Sequence, residues 1–440
     1  MTVTASPLRR REIIDALRVG AVPRRGLELF AQGLDRFEKA IDEELASVAT
    51  GRGKFKAVRG DYGTGKTFFA RWVGHRARER GFATAQVQIS SETPLHRMET
   101  VYRRAVDGLE TKEWASGAFR ALIDRWLYTV EEDALRQSGV ASDDAEAVAQ
   151  AVGDLLEQRL AVVSATQPGF AAALRACHTA RVRDDHAVAE GLIAWLMGQP
   201  NVAADIKRQA GVKGDLDHFG AAGFLRGLLE VLRQTSRQGL VLVLDEVETI
   251  QRVRADSREK SLNALRQLID ELHDDAFPGL YVVITGTPQF YEGPQGVKRL
   301  APLAQRLHVE FGKDPRFDSS KAVQIRLQPF SQERLVDVGR RIRDLYPGEN
   351  TARLTERISD AVLIGLAQAV TGQLGGQVGV APRIYLKRLV DLLDKVDEHA
   401  DFDPAQHADF KLQPNELSAE ERAAAGIERS VDDIELDLSE

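Results

Sequence analysis

The stretch Gly60-Asp61-Tyr62-Gly63-Thr64-Gly65-Lys66-Thr67 constrains this chain more than any other. It fits G-x-x-x-x-G-K-[ST] at every fixed position, and its flanks agree with it. A β-rich segment, Phe55–Val58, precedes the loop, and an amphipathic helical pattern from Lys66 to about Arg80 follows. Glycines let a backbone wrap an anion and aim its N–H groups inward, while the next helix presents its positive end to the same point. The spacing therefore predicts a strand–loop–helix unit that holds phosphate. Within it, Lys66 is expected to reach the outer phosphates of ATP and the Thr67 hydroxyl to ligate Mg²⁺. Gly60, Asp61, Tyr62, Gly63, Thr64, Gly65 and Phe68 complete the expected cofactor-binding set.

A second motif supports the first. Gly239–Leu244 is an apolar run that ends in Asp245-Glu246, as a buried parallel strand with a ligand at its carboxyl end would. Asp245 is expected to hold Mg²⁺, through water or through Thr67, and Glu246 to polarise an attacking water as general base. Alone, the pair also fits an acidic helix cap, the lesser of the two readings; beside the phosphate loop, the catalytic reading is preferred. The run Leu280–Thr285 is a further strand, ending in Thr285-Gly286-Thr287-Pro288. Thr285, or failing it Thr287, is placed to touch the γ-phosphate or the attacking water, against the plainer reading of a turn.

Two arginines are candidates beyond the sheet. Arg383, in Ala381-Pro382-Arg383, falls in the first turn of a helix and is expected to reach the γ-phosphate from a lid. Arg306 is a candidate finger offered to a neighbouring subunit, which carries with it the expectation of a homo-oligomer. A surface arginine explains Arg306 at least as well.

The rest of the chain fits an α/β fold, a parallel sheet with helices on both faces. Further strands read at Ala83–Ile89 and Val323–Leu327. The expected organisation is a helical N-terminal segment over 1–50, an ATPase core over 51–94 and 238–330, a mostly helical insertion over 95–237, a helical lid over 331–398 and a polar acidic tail over 399–440. Near the N-terminus, apolar spacing predicts helices through residues 9–49, interrupted at Gly20–Pro23, with one helix over Leu27–Phe37.

Net charge of −7 argues against a surface that grips nucleic acid along its whole length, though not against a local basic site. One such site reads as an exposed basic loop at Arg252–Arg266, where Arg252, Arg254, Arg258, Lys260 and Arg266 suit a DNA backbone. Asp256 and Glu259 interleave with them, so a solvated salt-bridged helix is the alternative. The single cysteine, Cys177, forms no disulfide within the chain, and no run approaches the roughly 20 apolar residues of a membrane span. With no apolar signal segment at the start, the expected location is the cytoplasm, without a membrane.

The order of these parts resembles the AAA+ ATPases, closest to their origin-recognition and STAND-like branch. That resemblance implies that Val22-Pro23 contacts adenine and that Arg383 is the sensor-2 arginine. About 180 residues separate Lys66 from Asp245, far more than a minimal AAA+ core contains. Longer strings are more specific. EIIDALRVGAVPRRGLE, GDYGTGKTFFARW, LVLVLDEVETIQRVR and GLYVVITGTPQFYEGPQGVKRLAPLAQRL resemble the ATP-binding D component of BREX-type phage-exclusion systems. This second resemblance implies a defence ATPase that works beside a helicase and other system proteins. Two functions stay open: a DNA-coupled motor or loader that hydrolyses ATP, and a nucleotide-controlled assembly switch with slow turnover. A small-molecule kinase is a weaker third, for want of an acceptor site.

Overall fold

A computed structural model of the protein describes residues 5–139, 144–372, 381–408 and 410. Its centre is a five-stranded sheet of β1 (Lys54–Arg59), β2 (Ala83–Gln88), β3 (Leu240–Asp245), β4 (Leu280–Gly286) and β5 (Gln324–Arg326). The strands lie in the order β2-β3-β4-β1-β5, and every neighbouring pair is parallel. Each strand falls within a residue or two of its expected place.

β3 and β4 are buried at every position, which is why their sequences read as unbroken apolar runs rather than alternating ones. Successive side chains still point to opposite faces. Leu240, Leu242, Leu244, Val282 and Ile284 join one apolar core, while Val241, Val243, Tyr281 and Val283 join the other. Met98–Asp107 and Ala255–His273 pack on the first face, and Ala118–Ser138, Pro168–Val182, His186–Leu196 and His218–Gln234 extend its core outward. The second face is covered by Pro7–Arg18, Asp35–Ala49, Lys66–Glu79, Gln332–Leu345, Asp360–Gly372 and Ala381–Glu398. The N-terminal helices and the lid helices thus share one core with the phosphate-loop helix, and that shared core fixes where the lid sits.

Between residues 95 and 237 the described residues are helical apart from connecting turns and one isolated antiparallel bridge, Thr84 to Glu110. Local signals start and stop these helices. Pro168 opens one, and the Asp217 carboxylate caps another by accepting from Gly220 N at 2.7 Å.

One expectation needs correction. Leu27–Phe37 is not a single helix: a 3-10 turn covers Leu27–Leu29, and a regular helix begins only at Asp35. Apolar spacing runs on across the break, but Gly33 takes φ +72°, which a continuous helix does not allow. From 411 onward, the acidic tail lies outside the described residues. No helix among the described residues is long and apolar enough to cross a membrane.

Candidate nucleotide-binding site

The strand order brings the motifs together. β4 lies between β1 and β3, so the end of β4 separates the phosphate loop from the acidic strand end. Thr285 is opposite Val58 on one side, and Ile284 is opposite Leu244 on the other. The loop is tied to β4 by a hydrogen bond from Gly60 N to Gly286 O, 3.1 Å. A side chain at position 60 would meet Thr64 Oγ1 at 2.3 Å, and Gly65 enters the following helix at φ +90°. Both positions need glycine, for space in the first case and for backbone conformation in the second.

Lys66 is buried, and its ammonium donates to the carbonyls of Gly60 at 3.0 Å and Asp61 at 3.2 Å, with the Tyr62 ring 5.0 Å away. It therefore closes the loop on itself. Thr67 Oγ1 donates to Asp245 Oδ2 at 3.1 Å, and Gln86 Nε2 donates to the same oxygen at 2.8 Å. The other carboxylate oxygen of Asp245 accepts from Thr285 Oγ1 and from Glu246 N. A hydroxyl and a carboxylate side by side form a donor set that suits a hard cation such as Mg²⁺. Glu246 sits in the left-handed region at φ +58°, a strained conformation for a residue with a side chain. Its amide also donates to Thr285 Oγ1 at 3.1 Å, and its carboxylate accepts from Gln88 Nε2 at 2.8 Å.

Lys66, Thr67 and Glu246 line a cavity of about 270 Å³ whose lining is part apolar and part polar. Val22, Pro23, Phe30, Phe68, Phe330 and Leu386 make an apolar slot, with Phe30 and Phe68 packed edge to face at 5.4 Å. Tyr62, Lys66, Thr67, Glu246, Glu248 and Arg383 supply the cavity's polar and charged groups. A molecule with a flat apolar base and a charged phosphate tail matches that division. Val22 is anchored because its carbonyl accepts from Arg71, on the phosphate-loop helix. Arg383, on the first turn of Ala381–Glu398, lies over Gly20, where an added Cβ would meet its Cγ and Nη1 at 3.6 Å. The lid thereby contributes Arg383 to the same cavity as Lys66.

A family model described as BREX system ATP-binding protein BrxC/D matches residues 5–412. The chain belongs to this family. No curated protein matches this BrxC/D-family chain. Among solved structures, it aligns with the Aeropyrum pernix ORC2 protein, described in ADPNP–ADP complexes, at 13% identity and TM-score 0.36. That alignment covers 90% of this chain and 68% of the other, a likeness too loose to build on.

In this BrxC/D protein the cavity gathers Gly63, Gly65, Lys66, Thr67, Phe68, Val22, Pro23, Glu246 and Arg383, with Asp245 and Thr285 just behind. Other candidates lie elsewhere. Thr287 is buried ahead of the short helix Pro288–Glu292 and does not line the cavity. Arg306 also stands apart; its guanidinium is held by Asp270, with Nη2 to Oδ2 at 3.0 Å, and donates to Pro302 O at 2.8 Å. The Arg252–Arg266 segment is no loop. It is the end of a 3-10 turn, Val247–Arg252, and the first part of the Ala255–His273 helix. Arg266 there pairs with Asp270 at 2.8 Å, while Arg252 Nη2 donates to the Tyr62 hydroxyl at 3.1 Å.

Sequence reasoning missed Gln86, Gln88, Arg71 and Glu248. The two glutamines alternate on β2 with buried Val87, so a strand assignment alone placed them together on one face. Glu248 had no such signal. It is buried beside Lys66, with Oε1 3.8 Å from Nζ. Burial pushes the Lys66 pKa down against the pull of Glu248 and Asp245, and pushes the Glu248 pKa up against the pull of Lys66.

Proposed function

We propose that this BrxC/D-family protein hydrolyses ATP with Mg²⁺ and, as an oligomer, couples that turnover to DNA and a helicase partner as a motor or loader. The observation that carries the reading is one cavity lined by Lys66, Thr67 and Glu246 together with apolar side chains, with Asp245 held against Thr67 just behind it. The slot takes the base, and Lys66 exchanges the Gly60 and Asp61 carbonyls for phosphate oxygens. Thr67 and Asp245 would hold Mg²⁺, which neutralises charge on the phosphates when bound. Glu246 accepts the proton of the attacking water, and Thr285 keeps Asp245 and the Glu246 amide in register. Arg383, on the Ala381–Glu398 helix and lining the same cavity, would reach the phosphates from there. Arg252 connects the basic segment to Tyr62 in the phosphate loop, a route by which a DNA phosphate that attracts Arg252 would be felt at the nucleotide.

A nucleotide-controlled assembly switch is the second reading. Glu246 is held by Gln88, and Arg306 is held by Asp270 within its own chain, both of which favour slow turnover. Steady-state ATP hydrolysis separates the two, measured on wild type and Glu246→Gln with duplex, forked and single-stranded DNA. A rate raised by one DNA form and lost in Glu246→Gln is the expected result. A slow rate indifferent to every DNA, with ATP still bound, would replace the motor with the switch.

A further inference from the structure

Asp245 and Glu248 belong to one short segment and face the same loop, yet their surroundings are opposite. Asp245 accepts hydrogen bonds from Thr67, Gln86, Thr285 and the Glu246 amide. Glu248 is only 4% exposed, and among the described residues neither of its carboxylate oxygens has a hydrogen-bond partner. A buried carboxylate without partners is costly, and chains keep such groups rarely. The charge facing it is Lys66, 3.8 Å away, which is too far for a hydrogen bond. The Lys66 protons go instead to the carbonyls of Gly60 and Asp61. Glu248 also lines the nucleotide cavity.

We propose that Glu248 is a positioning residue that holds Lys66 back within the phosphate loop, opposes the incoming phosphates, and so weakens binding of ATP more than of ADP. The inference rests on the nucleotide site described above. A phosphate tail entering the cavity must draw Lys66 off its loop carbonyls and leave Glu248 without its counter-charge, facing negative oxygens. Both effects act against binding, and both grow with the charge on the tail. A triphosphate therefore loses more than a diphosphate. Such a residue would keep nucleotide exchangeable in a site whose loop, metal ligands and apolar slot otherwise favour tight retention.

The test is the dissociation constants of ATP and ADP, each with Mg²⁺, for the wild type, Lys66→Ala, Glu248→Gln, Glu248→Ala and Glu248→Asp. Removing the charge in Glu248→Gln should tighten ATP about tenfold and ADP by less, an order of magnitude set by one unit charge at a few ångströms in a partly screened site. Glu248→Asp keeps the charge and should stay close to wild type, a pattern that a merely structural role would not give. If Glu248→Gln fails to fold, Glu248→Ala makes the same neutral test, with circular dichroism as the check on folding. Equal or weaker ATP binding in the folded neutral variants overturns the proposal, as does an equal gain for ATP and ADP. If the wild type and Lys66→Ala bind ATP alike, the nucleotide site itself falls. If they differ while the neutral variants match wild type, only the role of Glu248 falls.

Discussion

Lys56 and Lys66 are both buried, one on β1 and the other just past the loop that β1 feeds, and their neighbourhoods differ in kind. Lys56 is 1% exposed and saturated: Glu44 Oε1 lies 2.5 Å from its ammonium, and it donates to Ala322 O at 2.7 Å and Ser320 O at 3.3 Å. Glu44 is held in turn by the Tyr281 hydroxyl. Burial lowers the Lys56 pKa, and Glu44 opposes that shift. The network joins the Asp35–Ala49 helix, the sheet and the chain leading into β5. Lys66, by contrast, has loop carbonyls that a phosphate can replace and a carboxylate that stops short of hydrogen bonding. A buried charge that serves the fold is fully paired, while one that serves a ligand keeps exchangeable partners. The difference marks function more sharply than burial does.

Breaking the saturated side should have the larger effect on stability. Lys56→Met leaves Glu44 without its cation and should cost about 3–5 kcal/mol in denaturant unfolding, the usual result of removing one partner of a buried ion pair. ATP affinity of the folded molecules should be unchanged. A cost near zero would mean that Glu44 is already served by solvent and that the contrast with Lys66 is one of degree. Tyr281→Phe removes only the hydroxyl that donates to Glu44 and should cost about 1.5–3 kcal/mol, the range for a hydrogen bond to a charged acceptor. Unfolding of the double variant sharpens the comparison: a coupled network gives a total below the sum of the two single losses.

Much of this was legible in the sequence, for identifiable reasons. Gly60–Thr67 and Asp245 could be read because their demands are local: a glycine where a side chain would collide, a hydroxyl after a lysine, an acid at the end of an apolar run. Thr285 followed because β4 reads as a strand and its end must lie near the ends of its neighbours. Glu248 could not be read this way. In Asp245-Glu246-Val247-Glu248 it looks like one more solvated acid, and only the left-handed turn at Glu246 and the 3-10 turn after it carry it inward. The apolar slot beyond Val22, Pro23 and Phe68 escaped for another reason. Phe330 comes from the approach to the lid and Phe30 from the N-terminal segment, and no spacing in the chain relates them. The break at Gly33 was hidden because apolar periodicity registers which face is buried and is blind to a single backbone reversal.

The central claim is that Lys66 is a ligand-binding lysine and carries little of the fold. It is tested most directly by ATP titration calorimetry on wild type and Lys66→Ala, with thermal unfolding of the same samples. ATP affinity is expected to weaken by about 10- to 100-fold, equivalent to one or two charge-assisted hydrogen bonds, with a loss of stability smaller than that of Lys56→Met, since Lys66 is not hydrogen-bonded to Glu248. Unchanged affinity together with a large loss of stability would contradict it, and would make Lys66 a structural residue like Lys56.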